Sequence, residues 1–377
     1  MTKTGRNVPC PCGIRKKEKK CRLEKDKQKT PKPPNEKGTH DLRQVMEKES
    51  LKMEDAEISR AQDLVYDGWE VMVQDPREAK KYFERAIKLD PDLADAYNGL
   101  AEVAISRGNF SAAEECYRKA YEKAKTRLGT EDKKAFAWWG ELETRPYMRA
   151  RQGLGLLYLE AGRFDEAIGE FKDLLWRNPN DNQGVRYLVA PAYLLKNDLQ
   201  GALGAFDWHK HHYSGDVPDP HFLFNWALAL FMATRYGESA AKFRSTIFAN
   251  PYLIPLILGE EPKVLPIWHS NNLMQLDYSH EYFKWYGKLW IGKEEAVRFL
   301  QFIWEDQEIR GDYVQWVELW TKLKRIKDLD KRIPIIDLAN RIENKNLSAI
   351  FLRRLREFLA SRGVATPGSP GGAGLIN

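Results

Sequence analysis

Apolar residues recur with a helical period along most of the chain, and the pattern returns in near copies. Three copies read "DPREAKKYFERAIKLDP" (75–91), "GNFSAAEECYRKAYEKA" (108–124) and "GRFDEAIGEFKDLLWRNP" (162–179). In each, an alanine near the start of a helix is followed four positions later by an aromatic residue. This small residue recurs at intervals of 34, 54, 35 and 37 residues, at Ala79, Ala113, Ala167, Ala202 and Ser239. The pattern predicts an all-α protein of consecutive helical hairpins.

The interval and the A-x3-[F/Y]-x2-A arrangement resemble the tetratricopeptide repeat (TPR), in which two helices form one unit. The best copy carries the resemblance at Leu154, Gly155, Tyr158, Ala167, Phe171 and Pro179. The resemblance implies a TPR-type helical-repeat superhelix with about five repeats over 56–252. An insertion near 126–146 accounts for the longer second interval. Because one repeat cannot bury its own apolar face, neighbouring repeats must stack.

Two blocks of the chain carry a more specific resemblance. "NPNDNQGVRYLVAPAYL" (178–194) and "EYFKWYGKLWIGKEEAVRFL" (281–300) resemble a bacterial TPR family that is often found beside a SEC-C motif. That family implies protein–protein interaction and supplies no catalytic residue that can be transferred to this chain.

The segments that flank the repeats differ from them in composition. Residues 24–55 are rich in Lys, Glu and Pro, which predicts a charged flexible linker. A proline-rich break is predicted over 253–278, because proline interrupts helices. Helical periodicity then runs from 279 to about 310 and from 312 to 362, and we expect this region, 279–362, to cap the array. Residues 363–377 are predicted to be a flexible tail.

Three of the four cysteines lie in the stretch "VPCPCGIRKKEKKCR" (8–22), which has almost no apolar residues to bury. Cys10 and Cys12 are separated by one residue, and eight residues separate Cys12 from Cys21. Thiolates that wrap a short loop are typical zinc ligands, and the bound ion supplies the folding free energy that such a small segment lacks. The spacing therefore predicts a metal site with zinc as its ion.

The segment "GRNVPCPCGIRKKEKKC" (5–21) resembles the SEC-C motif, a small zinc-binding module, and we place this module at 1–23. Val8, Arg15 and Arg22 depart from the motif. Arg22 matters most, because it occupies the position of the last ligand and arginine does not bind zinc. Four arrangements stay open: His40 as fourth ligand, a water or outside ligand, a metal shared by two chains, or an empty module.

The N-terminal segment is also strongly basic. Residues 1–37 hold thirteen Lys and Arg against four Asp and Glu, whereas the whole chain has a net charge of +6. The basic arm consists of Arg15, Lys16, Lys17, Lys19, Lys20 and Arg22. Such an arm would neutralise phosphates and make binding fall with salt. The same segment has no aromatic residue to stack on bases, so sequence-specific readout of nucleic acid is not predicted.

In a TPR array the first helix of each pair lines the concave surface. The predicted register gives this peptide groove a polar half and an apolar half. The polar half is Asp95, Asn98, Glu102, Arg149 and Gln152, and the apolar half is Tyr187, Leu194, Phe224, Leu228 and Phe231. A peptide with an apolar anchor suits this division. The alternative is that these apolar residues pack against the next helix.

The sequence gives weaker support to several other candidate sites. His209 and His212 can share a helical face as metal ligands, or lie in a solvated turn at a helix end. Cys116 is expected to be a small apolar residue within a helix. No phosphate-binding glycine loop, nucleophile elbow or H-E-x-x-H motif is present, so an enzyme is not predicted.

The sequence as a whole predicts a non-catalytic adaptor that binds a protein or peptide partner. The alternative is a factor that associates with the ribosome or with RNA through its basic arm. No apolar run is long enough for a membrane span, and no secretory signal is predicted at the N-terminus, so we expect a cytoplasmic protein. The oligomeric state is not predicted.

Overall fold

The computed structural model describes residues 59–216 and 219–364. The predicted metal ligands Cys10, Cys12, Cys21 and His40, the basic arm, the linker and almost all of the tail lie outside these residues. Within the described ranges the chain is all-α, with no β-strand. The predicted fold class is confirmed at this level.

Sixteen helices follow one another in these ranges. The first, α1, covers 59–71. The others are α2 (Pro76–Leu89), α3 (Ala94–Ser106), α4 (Phe110–Leu128), α5 (Arg145–Glu160), α6 (Phe164–Arg177), α7 (Arg186–Leu195), α8 (Leu199–His212), α9 (Pro220–Met232), α10 (Tyr236–Ala249), α11 (Leu253–Ile257), α12 (Leu276–Tyr286), α13 (Glu294–Glu305), α14 (Gln307–Arg325), α15 (Leu329–Glu343) and α16 (Ala349–Ser361). From α1 to α10 they form five hairpins.

The helices pack closely because small residues of first helices face large rings of second helices. A Cβ atom added to Gly99 in α3 would lie 2.4 Å from the ring of Phe83 in α2. A Cβ atom on Gly155 would likewise lie 2.6 Å from the ring of Phe171 in α6. Both rings are fully buried. The aromatic residue of the repeat pattern therefore occupies the space that the glycine leaves.

Four of the five hairpins turn in the same way. The second residue after the first helix adopts a left-handed conformation, at Gly108, Gly162, Asn197 and Thr234. The next residue then donates its backbone N–H to a carbonyl five positions earlier, as from Arg163 to Tyr158 at 2.8 Å. This is the Schellman end of a helix, which satisfies carbonyls that would otherwise lack a partner.

The longer interval between the second and third hairpins has two causes. Helix α4 extends over 19 residues, and a non-repeating segment, 129–144, then leads to α5. Glu131 anchors this segment by accepting hydrogen bonds from Tyr121 (2.5 Å) and Tyr147 (2.8 Å) and by pairing with Lys125 (2.8 Å). Trp138 of the same segment is buried beneath the guanidinium of Arg177, which lies 4.4 Å from the ring centroid.

Beyond α10 the prolines leave one short helix, α11, before regular structure returns at Leu276. Helices α12 and α13 then pack against the last TPR hairpin: the Phe224 and Trp290 rings stack at 5.1 Å, and the Tyr282 hydroxyl donates to Asn225 Oδ1 at 2.9 Å. The division predicted near 311 is wrong. The helix ends instead at Asp306, whose carboxylate caps the first turn of α14.

Candidate protein-binding cleft

A cleft of about 280 Å³ opens between the first helices of consecutive hairpins. Helix α5 contributes Leu156 and Leu159 to it, and α7 contributes Tyr187 and Leu188. The start of α9 and one face of α12 complete it. First helices line the concave side of a TPR array, so the cleft lies where a partner would be expected to bind.

The floor of the cleft is aromatic and rigid. Phe222 is 1% exposed, and its ring contacts Tyr187 at 5.5 Å and the buried His209 at 4.6 Å between centroids. Trp285 and Leu188 line the wall and are half-buried, so part of each stays accessible. Aromatic and leucine side chains that are half-exposed in a concavity supply apolar area for a ligand.

His221 fixes the far side of the cleft. Its ring stacks on Tyr278 with centroids 4.0 Å apart and planes within 10°. Its Nε2 donates a hydrogen bond to the Tyr278 carbonyl at 2.8 Å, so this nitrogen carries the proton. Burial lowers the pKa of His221. The imidazole is therefore neutral near pH 7 and positions the Tyr278 ring.

Among the described residues, those that line the cleft and carry a charge are two carboxylates, Asp219 and Glu281. Asp219 caps α9 by accepting from the Phe222 N–H at 3.1 Å, and it also accepts from the Tyr278 hydroxyl. Burial and the Asp219 charge raise the pKa of Tyr278, so the phenol stays protonated. Glu281 is exposed on α12.

Next to the cleft, Arg186 is already neutralised. Its Nε lies 2.9 Å from Asp216, and its Nη1 lies 3.0 Å from Asp181. Burial acts to raise the pKa of Asp216, but hydrogen bonds from Tyr187 and Arg186 overcome it and lower the pKa. This ion pair holds Tyr187 in place and leaves the Arg186 guanidinium without spare charge.

The predicted apolar half of the groove needs correction. Tyr187 does line the cleft, but Leu194, Phe224 and Leu228 are buried in the core. Phe231 is half-buried against Phe299, with centroids 5.0 Å apart. For Phe224 the reason is that α12 and the turn after it pack on α9, where the rings of Tyr282 and Trp290 contact the Phe224 ring at 5.2 and 5.1 Å between centroids.

The predicted polar half joins repeats to one another. Arg149 in α5 pairs with Asp95 in α3 at 2.5 Å. The amide nitrogen of Asn98 donates to Asp95 and to the Pro146 carbonyl, each at 3.0 Å. Asp95 and Asn98 are buried, and the contacts that the structure gives them join one repeat to the next.

The other polar groove residues stay half-buried and are also bonded within the array. Gln152 accepts from Gln183 Nε2 at 2.7 Å and donates to its carbonyl at 3.1 Å. Glu102 accepts from the hydroxyl of Tyr117. These contacts join neighbouring helices of the array. Since Glu102, Arg149 and Gln152 are half-buried and not fully buried, their place in the groove stays a prediction.

Several cleft residues were not among those predicted. On α12, Tyr278, Glu281 and Trp285 follow the spacing i, i+3, i+7 and therefore share one helical face. That spacing is visible in the sequence. The prediction of a separate capping region does not place this face of α12 beside α9.

The histidines and Cys116 have structural surroundings. His209 is buried among aromatic rings, whereas His212 is exposed and stacks on Trp208 at 4.5 Å, so the two do not converge. The predicted solvated turn is therefore wrong for His209. Cys116 is half-buried in α4, and burial raises the pKa of its thiol. Among residues 59–216 and 219–364, no group of three potential metal ligands comes together.

Comparison with known proteins agrees with the repeat architecture. Residues 73–127 and 153–211 match the family model of the tetratricopeptide repeat. A solved structure titled "Functional Characterization of Pseudomonas Aeruginosa pilF" is 20% identical and covers 49% of this chain and 90% of its own. The TM-score of this match is 0.29.

The comparison with curated proteins gave no match. None of the described helices combines the length and the apolar character that crossing a bilayer requires. The hairpin geometry and the family match together identify the segments 73–127 and 153–211 as tetratricopeptide repeats.

Proposed function

We propose that this chain is a non-catalytic adaptor whose TPR array binds a protein partner in the cleft between α5, α7, α9 and α12. TPR arrays in general serve protein–protein interaction. The observation that carries the proposal is the cleft itself, where half-buried aromatic and leucine side chains line a preformed concavity on the first helices. An extended or helical segment that inserts one side chain between these walls matches this surface.

Site-specific photo-cross-linking tests this proposal. Trp285 is replaced by p-benzoylphenylalanine in the full chain, and the proteins that cross-link to it in cells are identified. The cross-link is then repeated in vitro with the purified partner. The matched control carries the same residue at Trp208, which is 37% exposed on the second helix α8 and lies outside the cleft. A protein adduct from position 285 alone supports the proposal. Equal cross-linking from 208, or none from 285, contradicts it.

The SEC-C-like segment supports a second proposal, zinc binding by Cys10, Cys12 and Cys21. It rests on the match of a dozen positions of the motif in register. The test is zinc content per chain by mass spectrometry, with Cys12→Ser and Arg22→Cys alongside. Zinc that is lost in Cys12→Ser supports the site, and His40 is then the first residue to test as fourth ligand. Metal found only in Arg22→Cys would favour the basic-arm alternative, which salt-dependent co-sedimentation with RNA or ribosomes then tests.

A further inference from the structure

The cleft carries a net negative charge in addition to its apolar walls. Asp219 and Glu281 line it, and among the described residues neither forms an ion pair. The nearest guanidinium, that of Arg186, is held by Asp216 and Asp181. A ligand that enters the cleft therefore meets two carboxylates and no cation on the lining.

The rings of the cleft offer a complementary surface for a cation. Lys284, on the exposed face of α12, already holds its Nζ 5.2 Å from the centroid of the Trp285 ring. An ammonium or guanidinium group at this distance from an indole ring is attracted by the ring's quadrupole. The intramolecular contact shows that the Trp285 ring is accessible to a positive charge.

The remaining walls fit a long side chain. Leu156 and Leu188 supply aliphatic surface, and Tyr187 supplies the face of a ring. Lysine and arginine bury their methylene stems on such surfaces while the charged end stays near water or a carboxylate. An acidic side chain in the same place would be repelled by the two carboxylates and would find no cation to pair with. The cleft should therefore select basic side chains over acidic ones.

We propose that the anchor of the partner in this cleft is a lysine or arginine side chain, with its stem against Tyr187 and Leu188 and its charge between Asp219, Glu281 and the Trp285 ring. This inference rests on the proposed function and specifies the chemistry of its ligand. It also predicts that Lys284 competes with the ligand for the Trp285 ring, so that removal of this lysine strengthens binding.

The test begins with a displayed library of random peptides selected on the full-length protein. The best peptide is then synthesised in three forms, with its basic residue kept, replaced by norleucine or replaced by glutamate. We expect one fixed Lys or Arg, about tenfold weaker binding of the norleucine form, and no measurable binding of the glutamate form. Preference for the basic form should decrease as salt rises.

Charge-only variants connect this preference to the cleft. Asp219→Asn keeps a side chain that caps α9, and Glu281→Gln keeps the shape of the glutamate. The double variant should bind the lysine and norleucine forms alike, and Lys284→Gln should bind the lysine form two- to fivefold more tightly. Asp277→Asn is the control, because Asp277 is exposed on the same helix and does not line the cleft.

The outcomes separate the two proposals. Selected peptides that bind the cleft through apolar residues alone, with the lysine and norleucine forms equal, would overturn the basic anchor and leave the proposed function standing. A failure to select any peptide, combined with no adduct from position 285, would overturn both.

Discussion

At the scale of single residues, the regular hairpin turns require a left-handed backbone conformation that is strained for some residue types. Gly108, Gly162, Asn197 and Thr234 all adopt φ between 59° and 74° at equivalent places. Glycine adopts this region freely, and asparagine is tolerated there. Thr234, at φ 59°, has a branched Cβ that crowds the backbone in the left-handed region.

We therefore expect Thr234→Gly to stabilise the protein. Relief of left-handed strain is worth roughly 1–3 kcal/mol, and the extra freedom of glycine in the unfolded chain offsets part of it. The net gain should be about 1 kcal/mol in the free energy of unfolding, measured by urea denaturation. Asn197→Gly is the control and should change stability by less than about 0.5 kcal/mol, since asparagine is already tolerated in this region. A loss of stability in Thr234→Gly would show that the threonine side chain has a role that outweighs its strain.

Glu131 gives a prediction that depends on pH. Burial acts to raise its pKa, but hydrogen bonds from Lys125, Tyr121 and Tyr147 overcome this and hold the pKa at about 2, below the ordinary value of 4.5. Because the folded-state pKa is depressed, the stabilisation is present above about pH 4.5 and is lost as pH falls towards 2. Glu131→Gln should cost about 1 kcal/mol at pH 7, since the site is partly exposed and the amide keeps one acceptor.

The measurement is the difference in unfolding free energy between the native chain and Glu131→Gln from pH 7 to pH 2. This difference should shrink below pH 4.5. Glu143→Gln, at an exposed carboxylate of the same segment that makes no hydrogen bond within the described residues, should give a flat difference. A flat curve for Glu131→Gln as well would mean that its carboxylate does not anchor the segment.

At the scale of helices, close approach depends on where glycine lies relative to a ring. Gly153 in α5 leaves room for the ring of Tyr117 in α4, because a Cβ atom there would lie 2.3 Å from Tyr117 Cζ. Tyr117 is 3% exposed and its hydroxyl is bonded to Glu102, so the ring cannot move aside cheaply. Gly169 in the middle of α6 has no atom within 4 Å of the corresponding position.

The two glycines should therefore respond oppositely to the same substitution. Gly153→Ala should destabilise the protein by about 3 kcal/mol through overpacking. Gly169→Ala should stabilise it by about 0.5–1 kcal/mol, because alanine is the better helix former. Thermal and urea unfolding of the two variants measure this contrast. Equal effects would mean that helix propensity, and not packing between α4 and α5, decides the outcome.

The hairpins could be predicted from the sequence because their signal is repeated and local. The alanines at 79, 113 and 167 and the rings that follow them fix the second helices, and the 54-residue interval marks the insertion. The exact end of a helix is harder to predict, because it depends on single contacts. Asp306 ends one helix and caps the next, and the periodic pattern runs across it without a change.

At the scale of the whole molecule, the candidate site was only partly predictable, because it depends on which hairpins stack. Tyr187 lines the cleft, since its own repeat fixes its direction. Phe224 and Leu228 were misplaced, since whether that face of α9 is open depends on α12, which lies some fifty residues later in the chain. Periodicity within one repeat does not carry this information.

The same stacking makes one buried contact important for the C-terminal helices. Arg244 of α10 pairs with Asp312 of α14 at 2.9 Å and donates to the carbonyls of Ile342 (2.6 Å) and Glu343 (3.0 Å) at the end of α15. It is 3% exposed. One guanidinium thus joins the last TPR hairpin to two helices that follow it.

We expect Arg244→Ala to separate the folding of the C-terminal helices from that of the array. Removal of one partner from a buried pair leaves the Asp312 carboxylate with Lys345 alone, at 3.0 Å, and takes a donor from two carbonyls, which costs about 3 kcal/mol. In a repeat protein such a loss acts on the interface between neighbours, so hydrogen exchange should accelerate over 329–361 while α3 to α6 keep their protection.

Arg298→Ala, which removes an exposed pair with Glu295, should change stability by less than about 0.5 kcal/mol. Uniform acceleration along the whole chain would show that the array and its C-terminal helices unfold as one unit, and that Arg244 contributes to global stability instead of to this single interface.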